Sequence, residues 1–469
     1  MKVRCSSMNI DELLLSINDA TFDNVICQLT VQTEVDKLSL QEKGYGVVLT
    51  ESEFREQFSG VDPKFIYYSP SMSLSCFYFN PESLAVCPFH IELFIDKWCI
   101  QNDSHFSIEN CYRAFAMCEN EVASGDYKRS ILSLPDRMRL EYFGMLFQKF
   151  GKGIRELYKM FFDAYIESDY GFNGLDKELL TAILESKTDS DRKRTEEAIR
   201  DLPDVIHIYR GGNTASCDYR DSYSWTLDIN VANFFACRRG SHNGYIVEAT
   251  VSKSDIIDAF LDNRHENEII VDPSHITVIR EITVYGIDFL SNVLPDVTPV
   301  YQEYRERLRE LRFSFESSIH GIEHAARVLL LTQIIAHMMD VPMFERKILA
   351  LASIYHDTRR THDGEDGLHG RYAREHYNRK AKSPSYLVEF LCEFHCLPDE
   401  QGYAEIRHNK KLSRNRRQAT RLLQIFKDAD ALDRLRLGGI RELDINQLRL
   451  DVSKQLTLVS RMCLEQIKV

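Results

Sequence analysis

No apolar run in the chain approaches the ~20 residues that a membrane-spanning helix needs. The longest, VLLLTQIIAHMM, carries a histidine. The opening residues, MKVRCSSMNIDELLL, lack the basic, apolar, small-residue order of a signal peptide, so a cytoplasmic chain is expected. There is no excess of positive charge: the formal net charge of -13 argues against coating nucleic acid or an anionic membrane, although a local basic patch can still meet phosphate. The twelve cysteines form no Cys-x-x-Cys pair and no compact framework. Seven lie in the first 118 residues beside apolar or aromatic neighbours, as buried reduced thiols would. Internal repeats and low-complexity tracts are also missing, which excludes solenoid architectures.

What is present is enough for several folded units. At 469 residues the chain is too long for one core, and two or three domains are expected. Residues 1–125 mix short β-like runs (YGVVLT, FIYYS, SCFYF) with helix-like stretches such as HIELFIDKWCI, and no chemistry attaches to them. Helical spacing dominates Tyr127 to Leu202, through MRLEYFGMLFQKF, IRELYKMFFDAYI and KELLTAILE, with a polar, exposed SKTDSDRKRTEEAIRDL stretch. The period then becomes strand-like in VIHIYRGG, NGYIVEATV, ENEIIV and HITVIREITVYGI. DINVANFFACRR among them reads as a helix capped by Asp228. SNVLPDVTP reads as a linker, and everything after it as helical.

Nine of fifteen histidines fall between His320 and His408, and their order is informative. His324 lies in HGIEHAARVL, on a helix with an apolar face of Val328, Leu331, Ile335 and Met338. His356 and Asp357 lie in YHDTRR, His369 in DGLHG, His395 in CEFHC, and Asp430 in DADALDRLR, near the start of a later helix. Neutral imidazoles and carboxylates are the donors that Mn²⁺, Fe²⁺ or Mg²⁺ accept, and facing helices are where bundles assemble them. His337, His362, His376 and His408 read as helix-face or hydrogen-bonded residues. The ordered set resembles the HD-domain superfamily of metal-dependent phosphohydrolases over roughly residues 315–455. That resemblance implies His324, His356, Asp357 and Asp430 as ligands of one ion, and His369 and His395 as additional ligands of a second. His320 becomes a supporting candidate. Asp357 would bridge metals or orient the nucleophile, and Arg359 and Arg360 would touch substrate phosphate. The basic stretch from Arg407 to Arg421 reads equally as a phosphate-neutralising segment or a solvated face.

The middle region has its own constellation: Arg210 in IYRGG, the SYSWT run from Ser222 to Thr226, and Glu266 and Glu268 in HENEIIVDP. Carboxylates two apart on a strand share one side of the pleat. An arginine before Gly-Gly can reach a pyrophosphate past a close backbone. In order, these resemble the Arg–Ser–Glu class of ADP-ribosyltransferase domains over about residues 200–290, with flanking helices from Tyr127–Leu202. The resemblance implies Arg210 as the NAD-binding arginine, Ser224 and Thr226 as the Ser-x-Thr support, and Phe235 stacked on nicotinamide. It makes Glu268 the catalytic glutamate, stabilising oxocarbenium character, and Glu266 the acceptor-facing residue. Trp225 departs from the family's usual hydroxyl residue and leaves the role of Ser222 open.

The expectation is therefore a multidomain α+β chain: an N-terminal α+β region (1–125), an ADP-ribosyltransferase-like split β-sheet domain with flanking helices (126–292), and an all-α HD bundle (300–469). Its function would be bifunctional: mono-ADP-ribosyl transfer from NAD to a protein or nucleic-acid acceptor, and hydrolysis of a phosphorylated or nucleotide substrate with one or two divalent ions. Such a pairing suits a microbial, phage-related or effector protein delivered to a host cytosol. The alternative keeps the hydrolase and makes the middle domain a nucleotide sensor. A third reading, an inactive scaffold, requires ligand loss that the sequence does not display.

Overall fold

The computed structural model describes residues 66–68, 76–80, 82–89, 108–133, 139–166, 177–214, 216–238, 240–261, 266–315, 319–438 and 443–466. YGVVLT and HIELFIDKWCI lie outside these residues. The first described unit is an antiparallel sheet, β1 (Ile66–Tyr68), β2 (Cys76–Phe79) and β3 (Val86–Phe89), in that spatial order. β3 lacks a strand signal in the sequence because it contains Pro88; a proline is tolerated on an edge strand, where its missing N–H costs no ladder bond.

Six helices follow: α1 (Ile108–Ser124), α2 (Lys128–Ser133), α3 (Arg139–Phe150), α4 (Leu157–Ile166), α5 (Lys177–Glu185) and α6 (Asp189–Ala198). α3 to α5 bury the apolar residues that their spacing predicts, around Phe143, Phe161 and Ile183, and this core reaches Phe260 and Ile270 of the next sheet. α6 is the expected polar helix; Thr188 and Asp191 close its first turn as a reciprocal capping box.

The central sheet contains β4 (Val205–Gly212), β5 (Ser224–Thr226), β6 (Gly244–Ser252), β7 (Ile256–Phe260), β8 (Glu268–Val271) and β9 (Thr277–Val284), with α7 (Ile229–Cys237) between β5 and β6. Its order is β7-β8-β5-β4-β6-β9, and every pairing is antiparallel. Asp228 caps α7 by accepting from the Asn230 N–H, as expected. α7 lies so close to β4 that a Cβ on Gly211 would stand 1.6 Å from the Ala232 carbonyl oxygen; only glycine fits there.

SNVLPDVTP is not a linker. It lies within one continuous helix, α8 (Ile287–Arg309), despite Pro295 and Pro299. The buried stripe Leu290, Val293, Leu294, Val297, Val300 and Tyr301 explains why: packing of an apolar face outweighs the two lost N–H donors. The longer helices that follow among the described residues are α9 (Ile322–Met338), α10 (Met343–Tyr355), α11 (His369–Lys380), α12 (Tyr386–Phe394), α13 (Asp399–His408), α14 (Arg416–Leu432) and α15 (Thr457–Gln466). α9 is surrounded; residues 324 to 336 are all buried, so the single apolar face read from its sequence is only part of what it packs.

One core runs from the underside of the sheet (Ile246, Ile282, Val284) through α7 and α8 into the helical half. Polar contacts reinforce it. Thr457 donates to Asn233 Oδ1 at 2.7 Å, Asn230 Nδ2 bonds Asp444 at 3.0 Å, and Arg461 reaches the Cys237 and Gly240 carbonyls. Among the described residues no helix is long and apolar enough to cross a membrane.

Candidate metal centre and a second candidate site

The helix ends place the histidines. His324 sits in the first turn of α9, His356 and Asp357 directly follow α10, His369 opens α11, and His395 directly follows α12. Asp430 lies in the last turn of α14, not near the start of a helix as its sequence context suggests. The helix runs Arg416–Leu432 because Ala419, Leu422, Leu423, Ile425 and Phe426 already carry its buried face upstream of Asp430.

These residues converge. His324 Nε2 lies 3.1 Å from His356 Nε2, 3.2 Å from Asp430 Oδ1 and 3.6 Å from Asp357 Oδ2. His369 Nε2 lies 3.0 Å from His395 Nε2 and 3.1 Å from Asp357 Oδ1. Asp357 therefore stands between two groups of donors, one on each carboxylate oxygen. His320 Nδ1 is 3.1 Å from Asp357 Oδ2, which gives it the supporting position that its place in the sequence suggests.

The tautomers follow from the outer contacts. His356 Nδ1 faces the Ser353 carbonyl at 2.8 Å, His395 Nδ1 the Cys392 carbonyl at 2.8 Å, and His369 Nδ1 the Asp366 carbonyl. A carbonyl only accepts, so each of these Nδ1 atoms bears a proton and Nε2 is the nitrogen turned inward. Inward nitrogens 3.0 and 3.1 Å apart need a cation between them, a proton on one ring or a metal ion shared by both. Two nitrogens bound to one ion at about 2.0–2.1 Å, at right angles, would be about 3 Å apart. Asp357 Oδ1 is buried and makes no hydrogen bond of good geometry among the described residues. The donor set fits divalent ions.

Charge in the site is consistent with that. Burial pushes the His356 imidazole down to about 3, so it stays neutral. Burial opposes ionisation of Asp357, but the imidazoles of His356, His320, His369 and His395 hold it well below the usual carboxylate range. Burial also opposes charge on His369, yet the hydrogen bonds of Asp357 and Cys396 push it up to about 10. A proton there occupies the place that an ion would take.

Two residues of this centre lie outside the sequence expectation. Asp433 accepts from His324 Nδ1 at 2.7 Å and is gripped by Arg327 at 2.6 and 3.0 Å, all three buried. Its sequence signal is present in DADALDRLR, one helical turn after Asp430. Cys396 lies beside His369 and His395. Burial opposes its ionisation, but the two histidines and the Gly370 N–H bring the thiol down to about 7. Arg360 is buried, donating to the carbonyls of His362 and Gly364, with Nη1 3.4 Å from His369 Nδ1. Arg359 bonds the Ser314 hydroxyl at 2.9 Å. His376 is buried against the Thr358 hydroxyl at 2.9 Å, apart from the ligand groups. The Arg407–Arg417 stretch is mostly exposed.

The middle region gathers a second set. β5 lies between β4 and β8, with Thr226 opposite both Tyr209 and Glu268. Ser224 Oγ and Tyr165 OH both donate to Glu268 Oε1. Arg210 Nη1 donates to the Ser224 carbonyl at 2.6 Å, while its buried Nε has no hydrogen-bond partner among the described residues. Burial raises Glu268 above the usual carboxylate range, against the hydroxyls of Ser224 and Tyr165. Tyr165, from α4, has no sequence signal because its partner lies 103 residues away.

Three details refine the sequence picture here. Trp225 alternates to the opposite side of β5, 2% exposed, so it fills core and does not displace a hydroxyl beside Ser224. Ser222 supports that ring by accepting the Trp225 indole N–H on its carbonyl at 2.9 Å. Glu266 precedes β8, and Asn267 has φ +46°, so the two glutamates do not share a strand face by simple alternation. The Thr226 hydroxyl instead ties down the Glu266 carbonyl at 2.6 Å. Phe235 lies half-buried on α7, its ring 5.4 Å from that of Phe234.

Compared with known proteins, residues 321–435 match the HD domain family. The match spans His324 to Asp433 and does not extend to residues 200–290. Neither a curated protein nor a solved structure matches the chain.

Proposed function

We propose that residues 300–469 hydrolyse a phosphate ester of a nucleotide or another phosphorylated small molecule, using one or two divalent ions. The observation that carries this is the inward convergence of four imidazole Nε2 atoms around Asp357 and Asp430. His324, His356 and Asp430 would hold one ion, His369 and His395 a second, and Asp357 would face both. A bound divalent ion supplies positive charge that stabilises phosphoryl oxygens and makes water a stronger nucleophile. The chain's own residues do the rest. Asp433 fixes the His324 ring, and the carbonyls of Ser353 and Cys392 fix those of His356 and His395. Arg360 lies beside His369 and adds positive charge at the site edge. The test is metal content and a phosphatase screen on a nucleotide panel. Wild type should carry one or two ions per chain, and His356→Ala and Asp357→Ala should lose both metal and turnover. A native chain free of metal would overturn the reading.

A second activity is favoured by one observation: Arg210, Ser224 and Glu268 meet across three neighbouring strands, with Arg210 Nε unpartnered among the described residues. We read residues 126–292 as an NAD-dependent mono-ADP-ribosyltransferase with a protein or nucleic-acid acceptor. Arg210 would bind pyrophosphate, and Phe235 would lie against nicotinamide. Glu268, positioned by Ser224 and Tyr165, would hold the ribose and stabilise its developing cation. Nicotinamide release from NAD should occur and vanish in Glu268→Gln. NAD binding without release would instead make the region a nucleotide sensor.

A further inference from the structure

Cys396 has no place in the ligand set above, yet its sulfur lies within it. Sγ and one ring nitrogen from each of His369 and His395 lie within 4.8 Å of one another. Gly370 makes the approach possible. A Cβ there would stand 3.0 Å from Cys396 Sγ and 2.6 Å from the Cys392 carbonyl oxygen, so α11 reaches the end of α12 only with glycine at this position. From the other side comes Asp357 Oδ1, on a carboxylate 2% exposed, 3.1 Å from His369 Nε2 and 3.7 Å from His395 Nε2. It makes no hydrogen bond of good geometry among the described residues. A buried carboxylate oxygen with no well-aligned donor is costly, and a cation shared with the two imidazoles is the partner that relieves it here. Each thiol has a carbonyl at 3.9 Å, Ala352 for Cys392 and Glu393 for Cys396, but only the Cys396 sulfur lies within reach of the two imidazoles.

We propose that Cys396 is a thiolate ligand of a metal site completed by His369, His395 and Asp357. Ligation forms the sulfur–metal bond and releases the thiol proton to solvent. One sulfur, two nitrogens and one oxygen suit a four-coordinate borderline ion such as Zn²⁺, Co²⁺ or Fe²⁺ over Mg²⁺. His324, His356 and Asp430 offer only nitrogen and oxygen, so the centre has two halves with different ion preferences. This rests on the metal-centre reading proposed above.

The experiment is a Co²⁺ titration of the metal-stripped full chain, followed by absorption. Visible d–d bands count bound cobalt, and a near-ultraviolet sulfur-to-cobalt charge-transfer band reports the Co–S bond. Both should appear in the wild type. Cys396→Ser should remove the charge-transfer band and weaken one equivalent by about tenfold or more, leaving the other unchanged. His369→Ala should remove the same band, whereas Cys392→Ser should keep it. Visible bands without charge transfer, or a band surviving in Cys396→Ser, overturn thiolate ligation and leave the metal centre standing. No visible bands in the wild type overturn the metal centre, and this inference with it.

Discussion

The two candidate sites are built on opposite principles. In the helical half, candidate ligands from five helix ends converge in a buried interior, each ring oriented by its own carbonyl or carboxylate. In the sheet, three neighbouring strands bring one arginine, one serine and one glutamate together, with a tyrosine from a distant helix behind them. The first concentrates donors that need a cation. The second leaves a buried guanidinium nitrogen and a carboxylate of raised pKa, which need a polar substrate. Redundancy separates them: the metal centre carries spare donors, whereas the sheet site stands on single residues.

The largest effects should come from crossing the sites. His356→Ala should cut phosphatase turnover by more than about 100-fold, exceeding the range for outer-contact losses, while nicotinamide release persists. Glu268→Gln should reverse the pattern, cutting nicotinamide release by about 10²–10³-fold with metal content unchanged. Loss of both activities in either variant would mean that the sites are not separate.

Asp433→Ala comes next. It removes the closer carboxylate from Arg327, itself 2% exposed, leaving Glu323 at 3.8 Å, and should cost about 3 kcal/mol in chemical denaturation as well as loosening His324. A stability change under about 1 kcal/mol would show that Arg327 finds another acceptor.

Acidity offers a graded test. His356 is held at about 3 in the fold, so the unfolded chain, with an ordinary value near 6.5, takes up a proton that the fold refuses. This part of the stability is present above pH ~6.5 and is lost as pH falls toward 3. His369, raised to about 10, works the other way: its contribution is full below ~6.5 and is lost as pH climbs to about 10. Ion-free protein should therefore be most stable near pH ~6.5 as far as these two groups decide it. Metal affinity should rise about tenfold per pH unit toward 10, as the His369 proton becomes easier to displace. Urea unfolding and calorimetric metal titration across pH measure the two trends. The smallest effect is Tyr165→Phe, which removes one hydrogen bond to Glu268 and should slow nicotinamide release about tenfold, leaving metal binding alone.

The candidate metal donors are legible in the sequence because their signal is local: each sits in a short motif, and helical packing does the gathering. Asp433 is visible in DADALDRLR but indistinguishable from a surface carboxylate until Arg327 is seen beside it. Cys396 is hidden by the absence of a Cys-x-x-Cys spacing; it adjoins His395, but His369 and Asp357 arrive from other helices. Long alternations make β4, β6 and β9 readable as strands, while β5 and β7, of three and five residues, are too short to carry a period. The linker reading fails for a definite reason. Two prolines mark a break only when the segment has no buried face, and Leu290 to Tyr301 has one.

The contacts between α7 and the chain's last stretch also set a timetable. Thr457 meets Asn233 across 224 residues of sequence. Closing a span of that length costs about 0.6 kcal/mol more than closing one half as long, and nothing offsets that cost until both ends exist. On a ribosome adding about 5–20 residues per second, α7 waits roughly ten to forty-five seconds for its cover to emerge. Until then Asn230 and Asn233 lack Asp444, Ile445 and Thr457 as hydrogen-bond partners. The sheet is made first but finished last, so a late frameshift would leave an early region exposed.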